Sequence, residues 1–110
     1  MILCKIVDET DILAQILLGF DEISFLSSDE KMRATNMTLI NIGEMVKNLS
    51  DDFRNEFTHI PWRKIAGFRD VAVHGYFTLR MDDVWIYASI EVPELSAKIK
   101  EILYNDKKTN

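Results

Sequence analysis

Apolar residues return along this chain at steps of three and four, the period of a helix with one buried face. Leu3, Ile6, Leu13, Leu17 and Phe20 keep that rhythm, with Thr10 in the missing place and Ile2, Ile12 and Ile16 widening the face. The spacing predicts a first helix from residue 2 to about residue 20, decaying near Gly19. Ile23, Phe25 and Leu26 read as a short packed connector that plugs one end of a bundle. A second helix starts after Ser28, whose hydroxyl can cap free backbone amides, and Asp29 and Glu30 suit the positive end of its dipole. Met32, Thr35, Leu39, Ile42, Val46 and Leu49 carry it to about Leu49. Met37, Ile40 and Met45 fall off that stripe. A second apolar strip on one helix predicts burial on two sides, with a subunit interface as the second.

Ser50, Asp51 and Asp52 open a short third helix that ends at Glu56 or Phe57. The run His59-Ile60-Pro61-Trp62 breaks it. Pro61 sits at the first turn of a fourth helix, where its missing amide costs little. That helix turns Trp62, Ile65, Phe68 and Ala72 inward and reaches at least Val73, with Gly75 as its terminator. Asp82 is the expected cap of the next helix, whose buried side is Val84, Trp85, Ala88 and Val92. Pro93 either kinks that helix or opens a final one. Leu95, Ile99, Ile102 and Leu103 extend the pattern to Tyr104, leaving residues 105–110 as a frayed polar tail. No segment alternates as a half-buried strand does. The reading is all-α: a single domain over residues 1–104, a bundle of four or five helices.

Composition narrows the function. The chain has 110 residues and a formal charge of −5, which argues against non-specific coating of nucleic acid. The charge is uneven. Residues 1–30 carry Asp8, Glu9, Asp11, Asp21, Glu22, Asp29 and Glu30 against Lys5 alone, whereas residues 62–80 carry Arg63, Lys64, Arg69 and Arg80 against Asp70. The basic segment could serve a phosphate, the acidic helix or an acidic partner. Cys4 is the only cysteine, so no intrachain disulfide forms; it reads as a small buried apolar residue, and a reducing cytoplasm fits. Lys5, Asp8, Glu9 and Asp11 break up the apolar N-terminus, so neither a signal peptide nor a membrane span is expected.

The basic segment contains Phe68-Arg69-Asp70-Val71-Ala72-Val73-His74-Gly75-Tyr76. Arginine grips anions with a fixed fork of donors, histidine trades protons near neutral pH, and tyrosine offers a phenol. Taken singly, each has an ordinary structural explanation: an ion pair, a helix histidine, an amphipathic boundary residue. Arg69 and Tyr76 share a helix face, but five residues separate Arg69 from His74, a rotation of about 140° on a straight helix. One copy therefore aims them apart unless the helix tightens or ends near Gly75. A two-fold dimer would gather two arginines and two histidines in one cleft. His59, the other histidine, shows no zinc-like spacing with His74. No serine or cysteine sits in a nucleophile motif, and no glycine loop cradles phosphate. No cofactor is expected.

The order arginine, four residues, histidine, one residue, tyrosine, here Arg69, His74 and Tyr76, resembles the signature of the HepT-like branch of the HEPN superfamily (higher eukaryotes and prokaryotes nucleotide-binding). The flanking motifs fall in the same order: Ile42-Gly43-Glu44, Ile60-Pro61-Trp62-Arg63, Gly67-Phe68-Arg69-Asp70, Val84-Trp85 and Val92-Pro93-Glu94-Leu95. The resemblance covers residues 2 to 103. It implies a dimer-forming HEPN-type bundle with the arginine–histidine motifs of two copies lining a shared cleft. It implies a metal-independent ribonuclease toxin of a toxin–antitoxin pair, acting on RNA. The implied partner is an MNT-type nucleotidyltransferase antitoxin that neutralises the toxin by transferring AMP onto Tyr76.

On this reading Arg69 and His74 are catalytic, and Asp70 and Glu44 support them. Two departures stand out. Asp70 fills a place where many relatives have asparagine, and Gly75 fills one where bulkier residues are common. A carboxylate beside Arg69 could orient it or weaken its hold on phosphate. Two rivals remain: a catalytically inactive nucleotide- or partner-binding module, and a structural helical protein whose polar motif only satisfies its neighbours.

Overall fold

A computed structural model describes the backbone of residues 2–109 and the side chains of residues 2–105; no strand occurs among the described residues. The helices are α1 (Ile2–Leu17), α2 (Glu22–Leu26), α3 (Asp29–Lys47), α4 (Asp51–Glu56), α5 (Trp62–Ala66), α6 (Phe68–Phe77), α7 (Met81–Ile86) and α8 (Val92–Thr109), with a π-helical turn, Tyr87–Glu91, joining the last two. The all-α bundle expected from the periodicity is the fold observed. The polar residues before Asn110 continue α8 as helical backbone to Thr109, and Asn110 lies outside the described residues.

Helix α3 is the central rod, packed by α1, α5 and α6, while α8 closes over α1. Its inner stripe is the predicted one: Thr35, Leu39, Ile42 and Val46 are buried. They meet Ile6 and Leu13 of α1, Ile65 of α5, and Phe68 and Ala72 of α6 in one core that continues through Val84, Val92 and Ile99. Each large apolar side chain buried this way contributes about 1.5–3 kcal/mol. Thr10 fills its gap in the α1 stripe because its hydroxyl donates to the Val7 carbonyl at 2.7 Å, which lets a polar residue be buried there. Ser28 and Ser50 cap α3 and α4 as expected, accepting from the amides of Lys31 (3.2 Å) and Phe53 (3.1 Å).

Several expectations need correction. In the connector only Phe25 is buried, against Trp85 at 5.1 Å between ring centroids, while Ile23 is 79% exposed. The connector is itself a short helix capped reciprocally by Asp21 and Ser24, so Ile23 and Leu26 turn away from the side that holds Phe25. Cys4 is exposed, not buried, because it sits about 100° from Leu3 and off the α1 stripe. Pro61 precedes α5, and the expected fourth helix is broken at Gly67 into α5 and α6.

Gly75 does not end α6, which runs to Phe77. Its missing side chain serves packing instead: a Cβ there would stand 2.7 Å from Cγ2 of Val84 and 3.1 Å from the Arg80 carbonyl oxygen. The helix ends at Thr78. The Arg80 amide reaches back to the Gly75 carbonyl at 2.8 Å, and Leu79 takes the left-handed position (φ 61°) that glycine usually fills.

Asp82 is not the cap of α7. It stands in the first turn, pairs with Nε of Arg80 at 3.2 Å and accepts from the Asp83 amide. The bond from Arg80 holds the Asp82 carboxyl below its ordinary range and, reciprocally, raises Arg80. The depressed carboxyl helps stability above the unfolded-state range, and that help fades as pH falls through the folded value. Pro93 stands in the first turn of α8, so of the two expectations it is the one that opens a final helix that holds. The π turn just ahead of it relieves the ring's clash with the Ser89 carbonyl in a regular helix.

Leu79 is 88% exposed, so its strained backbone is offset by little packing. Leu79→Gly removes the left-handed penalty and adds some unfolded-state entropy, for a net stabilisation of about 0.5–1 kcal/mol. A thermal melt should show Tm raised by several degrees. An unchanged or lower Tm would mean that Leu79 is held by contacts worth more than the strain.

Candidate functional site

The site begins with a close approach between helices. A Cβ at Gly43 would lie 3.0 Å from the Ala66 carbonyl oxygen, 3.0 Å from the Arg69 amide nitrogen and 3.3 Å from Arg69 Cβ. Only glycine lets α3 come this near to the α5–α6 junction. The next residue, Glu44, is thereby brought against Arg69. Its Oε1 lies 3.2 Å from Nε of Arg69 and 3.6 Å from Nζ of Lys47. Asp70 takes the other side, its Oδ1 accepting from Nη1 of Arg69 at 3.3 Å.

Arg69 is 47% exposed even with both carboxylates in place. Such exposed pairs contribute at most about 1 kcal/mol each. Their effect here is orientation: two carboxylates fix the plane of the guanidinium while Nη2 stays open to an anion. Of the predicted residues, the structure therefore brings Arg69, Asp70 and Glu44 together.

It does not bring His74 into that group. Helix α6 is regular through both residues, so His74 stands about 140° around and about 7.5 Å along the axis from Arg69. The His74 side chain is exposed and makes no hydrogen bond or ion pair among the described residues. Its carbonyl accepts from the Thr78 amide at 3.0 Å and from the Thr78 hydroxyl at 2.6 Å, which fixes the backbone and leaves the imidazole free. Phe77, 78% exposed, and half-exposed Val73 occupy the arc between Arg69 and His74.

Tyr76 is half-exposed, edge-on to Phe77 at 5.3 Å. The guanidinium of Arg33 on α3 lies 5.7 Å from its ring centroid. The contacts Glu44–Arg69 and Arg33–Tyr76 show that α3 and α6 run antiparallel. Met37, 57% exposed, thus falls opposite Val73 between them, so part of the off-stripe α3 strip is uncovered and adjoins the motif. Arg33 is the residue the periodicity reading missed. Its signal was its place on the Met37–Ile40 side of α3, which only the pairing with α6 makes meaningful.

His59 lies in the loop before α5, its ring edge-on to Phe57 at 6.4 Å. Among the described residues, no group of three or more His, Cys, Asp or Glu side chains could hold a metal ion. Among the same residues, no helix is long and apolar enough to cross a membrane.

The close approach makes its own prediction. Gly43→Ala forces α3 away from the α5–α6 junction, lowers stability by about 1–3 kcal/mol and loosens the Glu44–Arg69 pair. Glu44→Gln, which removes only the exposed charge, should stay within about 0.5 kcal/mol of the parent. Denaturant unfolding of the two variants checks this; equal stabilities would mean that the junction yields without strain.

Comparison with known proteins gives the same residues a family. The model of the family described as "Ribonuclease HepT-like" matches residues 6–102. The chain is 36% identical over 102 residues to "Putative RNase TTE0752" of Caldanaerobacter subterraneus subsp. tengcongensis, covering 93% of this chain and 91% of that one. It is 37% identical over 86 residues to "Putative RNase MJ0127" of Methanocaldococcus jannaschii, covering 78% and 69%. It is 32% identical over 78 residues to "Probable ribonuclease HepT" of Thermococcus cleftensis, covering 71% of each. No solved structure gives a significant match. With Arg69 and His74 presented on one exposed helix and the match running over nearly the whole bundle, the chain belongs to the ribonuclease HepT-like family of HEPN proteins.

Proposed function

We propose that this protein is a cytoplasmic ribonuclease toxin that cleaves RNA, such as tRNA or mRNA, without a metal, as a two-fold dimer. The observation that carries the reading is the presentation of Arg69. A guanidinium is held in place by Glu44 and Asp70 yet open on one edge, on the same exposed helix as an unpartnered His74, in a chain of the ribonuclease HepT-like family.

The chemistry follows from those groups. His74 takes the proton of a ribose 2′-hydroxyl. The freed oxygen attacks the adjacent phosphorus, the bond from phosphorus to the 5′-oxygen breaks, and the leaving oxygen takes a proton from an acid. The product is a 2′,3′-cyclic phosphate. Arg69 binds the phosphate and stabilises the charge that builds on it. The need for a 2′-hydroxyl selects RNA over DNA.

One chain holds Arg69 and His74 about 140° apart, so a second copy has to complete the site. Its His74 supplies the opposite acid or base role. Met37, Val73 and Phe77 are the exposed apolar residues that would pack across the two-fold axis.

Neutralisation is the second half of the proposal. An MNT-type nucleotidyltransferase antitoxin transfers AMP from ATP to Tyr76. The phenol oxygen attacks the α-phosphorus, pyrophosphate leaves and the phenol proton goes to solvent. The added bulk and negative charge stand beside Arg33 and on the face of Arg69, where they would repel RNA.

One observation favours an inactive binding module instead. Two carboxylates at Arg69 already neutralise the charge that a phosphate needs. Activity separates the readings. Purified protein with chelator present should cut RNA to cyclic-phosphate ends. Arg69→Ala should lower kcat/KM by about 10²–10³ and His74→Ala by about 10²–10⁴. Cleavage that survives either substitution overturns the mechanism, and no cleavage by the parent favours the module. For Tyr76, intact mass after incubation with antitoxin and ATP should rise by one or more AMP units in the parent and stay fixed in Tyr76→Phe.

A further inference from the structure

We infer that the recess between the start of α3 and the α6–α7 turn is a nucleobase subsite. It takes the unpaired base of a nucleotide flanking the scissile phosphate and so determines which RNA sequence is cut. This rests on the ribonuclease reading above.

The recess has a volume of about 260 Å³ and is lined by Asp29, Met32, Arg33, Tyr76, Leu79 and Met81. Sites for drug-sized ligands run to about 300–1,000 Å³. This one therefore suits a single ring system. Its walls are of two kinds. Met32, Leu79 and Met81 are apolar, and methionine adapts to flat, irregular ligands. Arg33 and Tyr76 supply a guanidinium plane and an aromatic ring, the two surfaces on which unpaired bases stack.

Arg33 differs from Arg69 in a way that matters here. It makes no ion pair among the described residues, whereas Arg69 is held by two. A positive charge that no carboxylate pairs within ion-pair distance, lying near an aromatic ring beside a recess, is available to a nucleotide.

The polar groups narrow the base. Asp29 offers only acceptor oxygens, which favours a base that presents an amino edge. Guanine is the best fit, since its N1–H and N2 amino group can both donate to one carboxylate. Behind the methionine wall, buried Asn36 donates to Sδ of Met81 at 3.5 Å, and its own Oδ1 has no partner. A second acceptor thus stands where a shift of the Met81 side chain would reach it.

Position supports the same assignment. Tyr76 lies on the Arg69 face of α6, about 10 Å further along the axis, a span that a flanking nucleotide can cover. Leu79 then has a reason for its geometry. An apolar side chain held out by a left-handed backbone gains nothing from packing, but it forms the rim of this recess.

Two measurements test the subsite. The first is amide resonance shifts in His74→Ala protein, which holds RNA without cutting it. A short single-stranded oligoribonucleotide containing guanosine should shift Arg33, Tyr76, Leu79 and Met81. GMP and AMP at the same concentration should shift them far less. The second is sequencing of the cut ends. Arg33→Ala should flatten the base preference beside the cut and raise KM about tenfold, with the smaller effect on kcat. Leu79→Gly should relax the preference with its stability intact.

If mononucleotides shift the residues as strongly as the oligonucleotide, the recess is a free-nucleotide site and the assignment to RNA is overturned. Unchanged cut-site preference and KM in Arg33→Ala also overturn it. Cleavage by the parent with no shift at these residues overturns the subsite and leaves the ribonuclease reading standing. Shifts at these residues without cleavage by the parent do the reverse.

Discussion

The backbone contact at Gly43 is the constraint on which the rest depends. Helices normally keep 8–10 Å between axes because side chains stand between them. At Gly43 there is no side chain, and the Ala66 carbonyl and the Arg69 amide come within 3.0 Å of where a Cβ would be. The burial that holds α3 to α6 comes from the adjacent Ile42 and from Leu39 and Val46 about a turn away, in one core with Phe68 and Ala72. The polar consequence is carried by Glu44, which the contact delivers to Arg69 at 3.2 Å. Core packing and the charged site are thus set by one local geometry.

Helix α6 is gripped in the same manner at its other end. Gly75 lets Val84 and the Arg80 carbonyl approach as closely as α3 does at Gly43. Between the two contacts, Phe68, Ala72 and Gly75 form the buried side. Val71 is half-buried against the core, and the remaining residues face out: Arg69, Asp70, Val73, His74, Tyr76 and Phe77. A helix clamped along one side is a rigid platform, which suits groups that have to hold a reacting phosphate in fixed geometry. Rigidity also fixes the shortfall. Because α6 neither tightens nor ends at Gly75, it cannot rotate His74 toward Arg69, and this is the shortfall that the proposed second copy would make good.

The sequence was informative wherever one helix decides the outcome. The caps at Ser28 and Ser50, the inner stripe of α3 and the inward set Trp62, Ile65, Phe68 and Ala72 all follow from local spacing and hydroxyl chemistry. It misled where a second element decides. Gly75 has the look of a helix stop, yet its small size is needed by α7, and the stop is made by Leu79 in a conformation leucine rarely takes. Asp82 has the look of a cap, yet Arg80 draws it into an ion pair. Glu44 was legible only through its place in a family motif. Arg33 stood on the Met37–Ile40 side of α3, but that place acquires meaning only from Tyr76 on another helix.

On the proposed reading, the two arginines of this face divide the work of meeting a nucleic acid. Arg69 is anchored by Glu44 and Asp70, so its charge is largely offset and its geometry fixed. That arrangement gives little attraction at long range but presents defined donors once a phosphate has arrived. Arg33 has the opposite character: no ion pair among the described residues, a ring to lie on, and beside it a recess with methionine and leucine walls. In a chain of formal charge −5, general electrostatic attraction cannot gather RNA. Recognition then has to come from short-range contacts, and stacking on an exposed arginine–tyrosine pair is short-range and indifferent to net charge. The acidity of the protein is consistent with an enzyme that selects a few unpaired bases and does not hold duplexes at random.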